Sequence, residues 1–164
     1  MLLRVAALSD VGRTRDHNED AFHFEQAPDG AWVLAVCDGM GGHEAGEVAS
    51  AAAIRRLQSF LRDAPRSDPA RIVYDALNAA NQAVIDEAAA TGNPTMGTTA
   101  VVALVVGAKA WYGWVGDSRA YHFRAGALLD RSVDHTRVQA LVDAGVLTAE
   151  EARHHPDLHH RHRH

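Results

Sequence analysis

Two long stretches of helical character divide this chain into an early and a late group of strand-like runs. In the stretches at 44–61 and about 69–90, apolar side chains recur at helical spacing. The strand-like runs lie at 2–8, 21–25, 32–37, 98–106, 110–115, 120–124 and 128–129. Strands, two helices and strands again predict an α+β fold with strand layers covered by helices, rather than a βαβ repeat.

Turn and capping residues set the ends of several predicted elements. The sequence Pro28-Asp29-Gly30 predicts the turn of a hairpin between the runs at 21–25 and 32–37. Asp68 followed by Pro69 provides an N-cap and a first-turn proline for the second long helix. A short helix is predicted from Thr148 onward, because Thr148 and Glu151 fit a capping box.

Composition limits the classes of protein to consider. With 164 residues, 47% of them hydrophobic, the chain is long enough to fold as one domain with a buried core. A formal net charge of -5 and the lack of any membrane-length apolar stretch predict neither nucleic acid nor membrane as partner. Cys37 is the sole cysteine, so an internal disulfide is impossible and a cytoplasmic location is expected.

Three acidic residues next to strand-like runs indicate a site for a hard divalent cation. Asp38 ends one run and is followed by Gly39, whose small size lets the backbone approach an ion. Glu19 and Asp20 precede the partner run, so a hairpin would bring them beside Asp38. Three neighbouring carboxylates repel unless a cation neutralises them, and oxygen ligands suit Mg²⁺ or Mn²⁺. Loop acids and N-caps are the alternative, which is strong for Asp20 alone and weak for all three.

Two basic residues near these acids are candidates for handling a phosphate. Arg15 lies in the same loop as Asp20, and its planar guanidinium would bind a phosphate through two hydrogen bonds. A solvated surface arginine is the alternative, which fits Arg13 better. His43 follows Gly41 and Gly42. It would donate a proton to a leaving oxygen, and the alternative is that it simply begins a helix. Asp117 lies between two strand-like runs, where a plain turn is the alternative.

In their order and number, the motifs resemble those of metal-dependent protein phosphatases of the PPM, or 2C-like, type, and in particular their bacterial branch. No single motif is specific, but the set is. The matching motifs are Ser9-Asp10-x-Gly12-x-x-Arg15-x-x-Asn18-Glu19-Asp20, Asp38-Gly39-Met40-Gly41-Gly42-His43-x-Ala45-Gly46-Glu47, Gly97-Thr98-Thr99, Gly116-Asp117-Ser118-Arg119 and Asp134-His135-Thr136.

The resemblance implies a central β-sandwich flanked by helix pairs, with a binuclear Mn²⁺ or Mg²⁺ site. By motif match, Asp38 would bridge two metals and Gly39 would offer its carbonyl. Glu19 and Asp20 would hold a metal or its water ligands, and Arg15 would bind the phosphate. The implied activity is hydrolysis of phosphoserine and phosphothreonine in proteins by a water that the two metals activate.

Two further roles follow from the same motif match. His43 would be the candidate general acid, and Asp117 would contribute to a third, weaker metal. The implied partners are phosphorylated protein substrates, together with a serine/threonine kinase that acts on the same proteins.

The end of the chain departs from the family pattern. The family carries two more metal aspartates, in a Ser-Asp-Gly and an Asp-Asn motif, and neither is found here. We therefore expect residues 1–157 to form a partial phosphatase domain that lacks its C-terminal third, and the His/Arg-rich tail at 158–164 to be disordered. Weak or absent activity is the consequence, and the alternative is a non-catalytic fragment that binds phosphoprotein or another partner.

Overall fold

The computed structural model describes residues 3–41, 44–135 and 137–152, and the chain divides into two compact units between Trp114 and Val115. The elements of the first unit are β1 (Asp20–Gln26), β2 (Trp32–Met40), α1 (Glu44–Asp63), α2 (Pro69–Thr91), β3 (Gly97–Thr98), β4 (Ala100–Val106) and β5 (Lys109–Val115). Those of the second are β6 (Tyr121–Arg124), β7 (Ala127–Arg131), α3 (Arg137–Asp143) and α4 (Ala149–Ala152). Antiparallel sheets with separate helices confirm the predicted α+β class.

One five-stranded sheet organises the first unit. Its strands follow the order β1-β2-β4-β5, and β3 also pairs with β2. The strands β1 and β2 form the predicted hairpin, in antiparallel register from Asp20 opposite Asp38 to Gln26 opposite Trp32. At its turn, the N–H of Ala31 donates to the Asp29 carboxylate at 3.1 Å, and Gly30 adopts a φ of 84°, which suits glycine. At the end of the hairpin that is farthest from the turn, two aspartates therefore lie directly across from each other.

The core lies between the sheet and the two long helices, which pack against each other; α1 also packs against β2, and α2 packs against β4. Leu57 and Leu61 of α1 are fully buried, as are Val33, Val102 and Leu104 of the strands. Val33 alternates with partly buried Trp32 and Leu34, so one face of the sheet packs on the helices. Among the described residues, no helix has the length and apolar character that crossing a membrane requires.

Local signals fix both ends of α2, and the N-cap predicted from the sequence is confirmed. The Asp68 carboxylate accepts a hydrogen bond from the N–H of Arg71 at 3.1 Å, with Pro69 as the first helical residue. At the other end, Gly92 is left-handed with a φ of 66°, and the N–H of Asn93 donates to Ala88 O at 2.9 Å.

One strand prediction was wrong, and a second was confirmed except for one residue. The described part of the 2–8 run, residues 3–8, is not a strand, and Leu8 is 93% exposed. Apolar and β-favouring residues form a strand only where a neighbouring strand offers a ladder, and none of the described strands pairs with this segment. The 98–106 run is divided, because β3 ends at Thr98 and β4 begins at Ala100. Thr99, which lies between them, is 1% exposed.

The second unit contains a two-stranded hairpin and two short helices. The β6–β7 hairpin pairs Tyr121 with Arg131, so β7 is longer than the run of two leucines that predicted it. Its polar residues Asp130 and Arg131 extend the ladder without an apolar signal. The predicted capping box of α4 is confirmed: Glu151 Oε2 accepts from the N–H of Thr148 at 2.8 Å, and the N–H of Glu151 donates to Thr148 Oγ1 at 3.2 Å.

Candidate metal and phosphate site

The β1–β2 hairpin brings Asp20 and Asp38 into directly opposed positions at the end of the sheet. The N–H of the next residue, Gly39, donates to the carbonyl of Glu19 at 3.1 Å. Because bonded and non-bonded pairs alternate in an antiparallel ladder, the Asp20–Asp38 pair is of the non-bonded type, whose side chains come closest. Two carboxylates therefore project from the same face of the sheet, where like charges destabilise the pair unless a cation lies between them.

Glu19 lies on the opposite face of the sheet. A Cβ placed on Gly46 of α1 would be 2.6 Å from Glu19 Cδ, so the carboxylate rests against the first turn of that helix. The physical reason is the two-residue repeat of a strand, which sends the side chains of Glu19 and Asp20 to opposite sides. Within the described ranges, no three His, Cys, Asp or Glu side chains group closely enough to hold a metal ion. The three predicted acids therefore do not form one such group in the described part of the chain, and the role of Glu19 at a metal stays a prediction.

Two glycines make this close packing of strand and helix possible. A Cβ on Gly39 would lie 2.0 Å from Gly46 O and 2.7 Å from Glu19 O, distances that no side chain tolerates. Because Gly39 has no side chain, its backbone packs closely against Glu19 of the hairpin and Gly46 of α1. The glycine after Asp38 was predicted from the sequence to permit the close approach of an ion. The structure gives a second reason, which is the close packing of strand and helix at this position.

Asn18 and Thr99 belong to the site, although the sequence reasoning gave them no role. The Asn18 side chain donates to Ser9 Oγ at 2.7 Å, and its oxygen accepts from the N–H of Asp20 at 3.1 Å. Thr99 Oγ1 accepts from the N–H of Asp38 at 3.0 Å. Each therefore fixes the main chain of an aspartate. The available signal was their place inside the Asn18-Glu19-Asp20 and Gly97-Thr98-Thr99 motifs.

Cys37 is a structural residue next to the acidic pair. It is fully buried, and burial raises the pKa of its thiol to about 12, so the thiol stays neutral at physiological pH. Cys37 therefore acts as a small apolar residue of the core.

Arg15, the residue predicted to bind a phosphate, contacts Glu19. Its Nη1 lies 3.4 Å from Glu19 Oε2, and its side chain is 66% exposed, against 10% for Glu19. An exposed guanidinium at this separation is held loosely. The Arg15 guanidinium is therefore accessible to solvent beside Glu19, and its phosphate role stays a prediction.

Asp117 lies in the second unit, in the loop between β5 and β6 that the sequence indicated. That loop is held by the N–H of His135, which donates to Gly116 O at 2.8 Å. Next to it, Arg119 forms a two-pronged pair with the Asp134 carboxylate at 2.6 and 2.5 Å, and this bonding raises the pKa of Arg119. The general-acid candidate His43 lies outside the described residues.

The donor set is the kind that Mg²⁺ and Mn²⁺ use. Two opposed carboxylates and adjacent backbone carbonyls offer oxygen only, and Mg²⁺ commonly takes one or two carboxylates and completes its shell with water and phosphate. The residues at this end of the hairpin therefore fit such an ion.

The family model for protein phosphatase 2C matches residues 12–160. The chain belongs to this family. Among curated relatives, it is 41% identical over 157 residues to the serine/threonine protein phosphatase PstP of Mycobacterium tuberculosis, covering 95% of this chain and 30% of the relative. It is 33% identical over 153 residues to the serine/threonine phosphatase stp of Listeria monocytogenes, covering 90% of this chain and 61% of the relative.

Solved structures of protein phosphatase 2C relatives share the fold. The M. tuberculosis serine/threonine phosphatase PstP/Ppp superposes with a TM-score of 0.83 at 38% identity, over 96% of this chain and 66% of that one. A PstP catalytic domain in complex with two manganese ions has a TM-score of 0.75 at 39% identity, over 90% of this chain and 62% of that one. The chain thus spans between about a third and two thirds of the relatives it matches, and the family's metal is manganese or magnesium.

Proposed function

We propose that this chain is the N-terminal part of a metal-dependent phosphatase that hydrolyses phosphoserine and phosphothreonine in proteins. The observation that carries the proposal is the opposed Asp20–Asp38 pair at the end of a hairpin, in a chain of the protein phosphatase 2C family. Membership of the family shows common descent but gives no physical reason for a metal at this position. The pair adds a local reason for a divalent cation, since two like charges share one face of the sheet.

Each residue has a role that follows from its position. Asp20 and Asp38 would hold Mn²⁺ or Mg²⁺, and the bound metal would supply a Lewis acid that polarises the phosphoryl oxygens and lowers the pKa of water. Arg15, which is exposed and lies 3.4 Å from Glu19, would bind the non-reacting phosphoryl oxygens and orient the substrate. His43 stays the proposed general acid, and Asp117 the proposed contributor to a weaker metal site.

The proposed partners are phosphorylated proteins, with a serine/threonine kinase as the enzyme that produces them. A cytoplasmic location also stays a proposal. It is supported by the single, fully buried Cys37, which needs no oxidising compartment.

Turnover of p-nitrophenyl phosphate in Mn²⁺ tests the proposal. We expect slow turnover, far below that of a full-length relative, because the two further metal aspartates of the family pattern are not found in this sequence. The turnover should require Mn²⁺ and disappear in Asp38→Asn. Asp75→Asn is the matched control, since Asp75 is an acid of α2 paired with Arg71. Equal loss in both variants, or turnover that Asp38→Asn leaves intact, would contradict the site.

Phosphopeptide binding tests Arg15. Arg15→Ala should weaken binding of a phosphothreonine peptide about tenfold or more, because a charge-assisted hydrogen bond contributes about 1.5–3 kcal/mol. Arg13→Ala is the control, since Arg13 is an exposed arginine in the same loop. Arg15-dependent binding without any turnover would favour the alternative of a non-catalytic phosphoprotein-binding fragment. Equal effects of the two substitutions would remove the phosphate role of Arg15.

A further inference from the structure

Thr99 occupies a break in the sheet directly opposite Asp38. The strand β3 ends one residue before it and β4 begins one residue after it. The flanking pairs, Gly39 with Thr98 and Val36 with Val101, keep a single register across the break, which places Thr99 across from Asp38. Thr99 is 1% exposed, so its hydroxyl is a buried polar group at the edge of the acidic site.

Thr99 holds the peptide groups on both sides of the Asp38 Cα. Its hydroxyl accepts from the N–H of Asp38 at 3.0 Å, and its own N–H donates to the Asp38 carbonyl at 2.9 Å. On the other side of β2, the N–H of Gly39 donates to Glu19 O at 3.1 Å. The main chain at Asp38 is therefore fixed from two neighbouring strands, and one of those contacts depends on a side-chain hydroxyl.

We propose that Thr99 is a positioning residue, whose hydroxyl orients the Asp38 main chain so that the carboxylate faces Asp20 at the separation a divalent cation needs. The inference rests on the proposed function, because it concerns the same metal. It adds a residue that would act on the metal through its hydrogen bonds to Asp38. Hydrogen-bond partners behind a metal ligand typically change metal affinity by about 10- to 100-fold when removed.

The substitutions Thr99→Val and Thr99→Ser distinguish the effect of the hydroxyl from the effect of the side-chain shape. Valine keeps the branched shape and removes the acceptor for the N–H of Asp38, whereas serine keeps the hydroxyl. We expect Thr99→Val to weaken Mn²⁺ binding about tenfold in calorimetric titration and Thr99→Ser to restore most of it. The control is Val102→Ala, which removes two methyl groups from a fully buried position of β4 without touching Asp38.

The result that overturns the inference is unchanged Mn²⁺ affinity in Thr99→Val, or an equal loss of affinity in Val102→Ala. Hydrogen exchange of the Asp38 amide gives a second arm that needs no metal. It should be faster in Thr99→Val than in the parent chain and slow again in Thr99→Ser, and equal rates in all three would also overturn the inference. A parent chain that binds no Mn²⁺ at all would contradict the proposed function, while the exchange arm would still decide whether Thr99 fixes Asp38.

Discussion

The two faces of the five-stranded sheet have different tasks. On the helix face, Val33 and Cys37 of β2 are fully buried, and α1 packs against this strand. On the opposite face, Phe22 and Val36 are 42% and 49% exposed, and the same two strands carry Asp20 and Asp38. The difference shows how one hairpin separates stability from chemistry: residues one step apart along a strand serve the core or the candidate site.

Glu19 and Asp20 show this division most sharply. They are adjacent in sequence, yet the Glu19 carboxylate rests on Gly46 of α1 while Asp20 lies across from Asp38. The Glu19 carboxylate therefore contributes to the packing of helix on sheet, whereas Asp20 faces the other aspartate of the hairpin. Substitutions that act on one face at a time test this division between the faces.

The largest effect is expected on the helix face. Leu57→Ala should lower the free energy of unfolding by about 2–5 kcal/mol, because Leu57 is fully buried and the helix and sheet cannot close the cavity completely. Val36→Thr on the other face should change it by only about 0.5 kcal/mol or less, since Val36 is half exposed and threonine keeps the branched shape. Urea unfolding measures both, and similar losses would show that the two faces are equally buried.

A smaller effect is expected where helix and hairpin meet. Gly46→Ala should cost about 1–3 kcal/mol of unfolding free energy, because the new methyl group would lie 2.6 Å from Glu19 Cδ and the carboxylate must move. In a chain that already carries Glu19→Ala, the same substitution should cost clearly less. A double-mutant cycle by urea unfolding checks this coupling, and additive losses would contradict the contact.

The smallest effect has the opposite sign. Without metal, Asp38→Asn should raise the free energy of unfolding by about 0.2–1 kcal/mol, because it removes a like charge directly across from Asp20. Asp75→Asn should give no gain, since it breaks an ion pair with Arg71. Thermal unfolding in EDTA measures both variants, and a loss of stability in Asp38→Asn would mean that the pair is not repulsive.

Much of the fold could be predicted from sequence because its signals are local. The hairpin, the two long helices and their caps follow from turn residues, helical spacing and Asp68-Pro69. The strand predicted at 2–8 failed because pairing depends on a partner strand that local sequence does not reveal. The break at Thr99 could not be predicted for a related reason. The run of apolar and β-branched residues looks continuous in the sequence, which does not reveal that the Thr99 hydroxyl accepts the hydrogen bond from the N–H of Asp38.

The candidate site was predicted in composition but only partly in geometry. A hairpin was expected to bring the acids together, and it does so for Asp20 and Asp38. The alternation of strand side chains sends Glu19 to the helix face instead, a consequence that the register makes visible and that the acidic motif alone does not. Asn18 and Thr99 act on the backbone rather than on the ion, so a search for metal-ligating side chains passed over them.

Calorimetric titration with Mn²⁺ of the parent chain and three variants tests the central claim, that the opposed aspartates hold the metal. The parent chain should show saturable heat, which Asp38→Asn and Asp20→Asn should each abolish or greatly reduce. Glu19→Gln should reduce it far less, because that carboxylate lies on the other face of the sheet. Equal heats in the parent chain and in Asp38→Asn would contradict the site, and a loss in Glu19→Gln as large as that in Asp38→Asn would contradict the division between the faces.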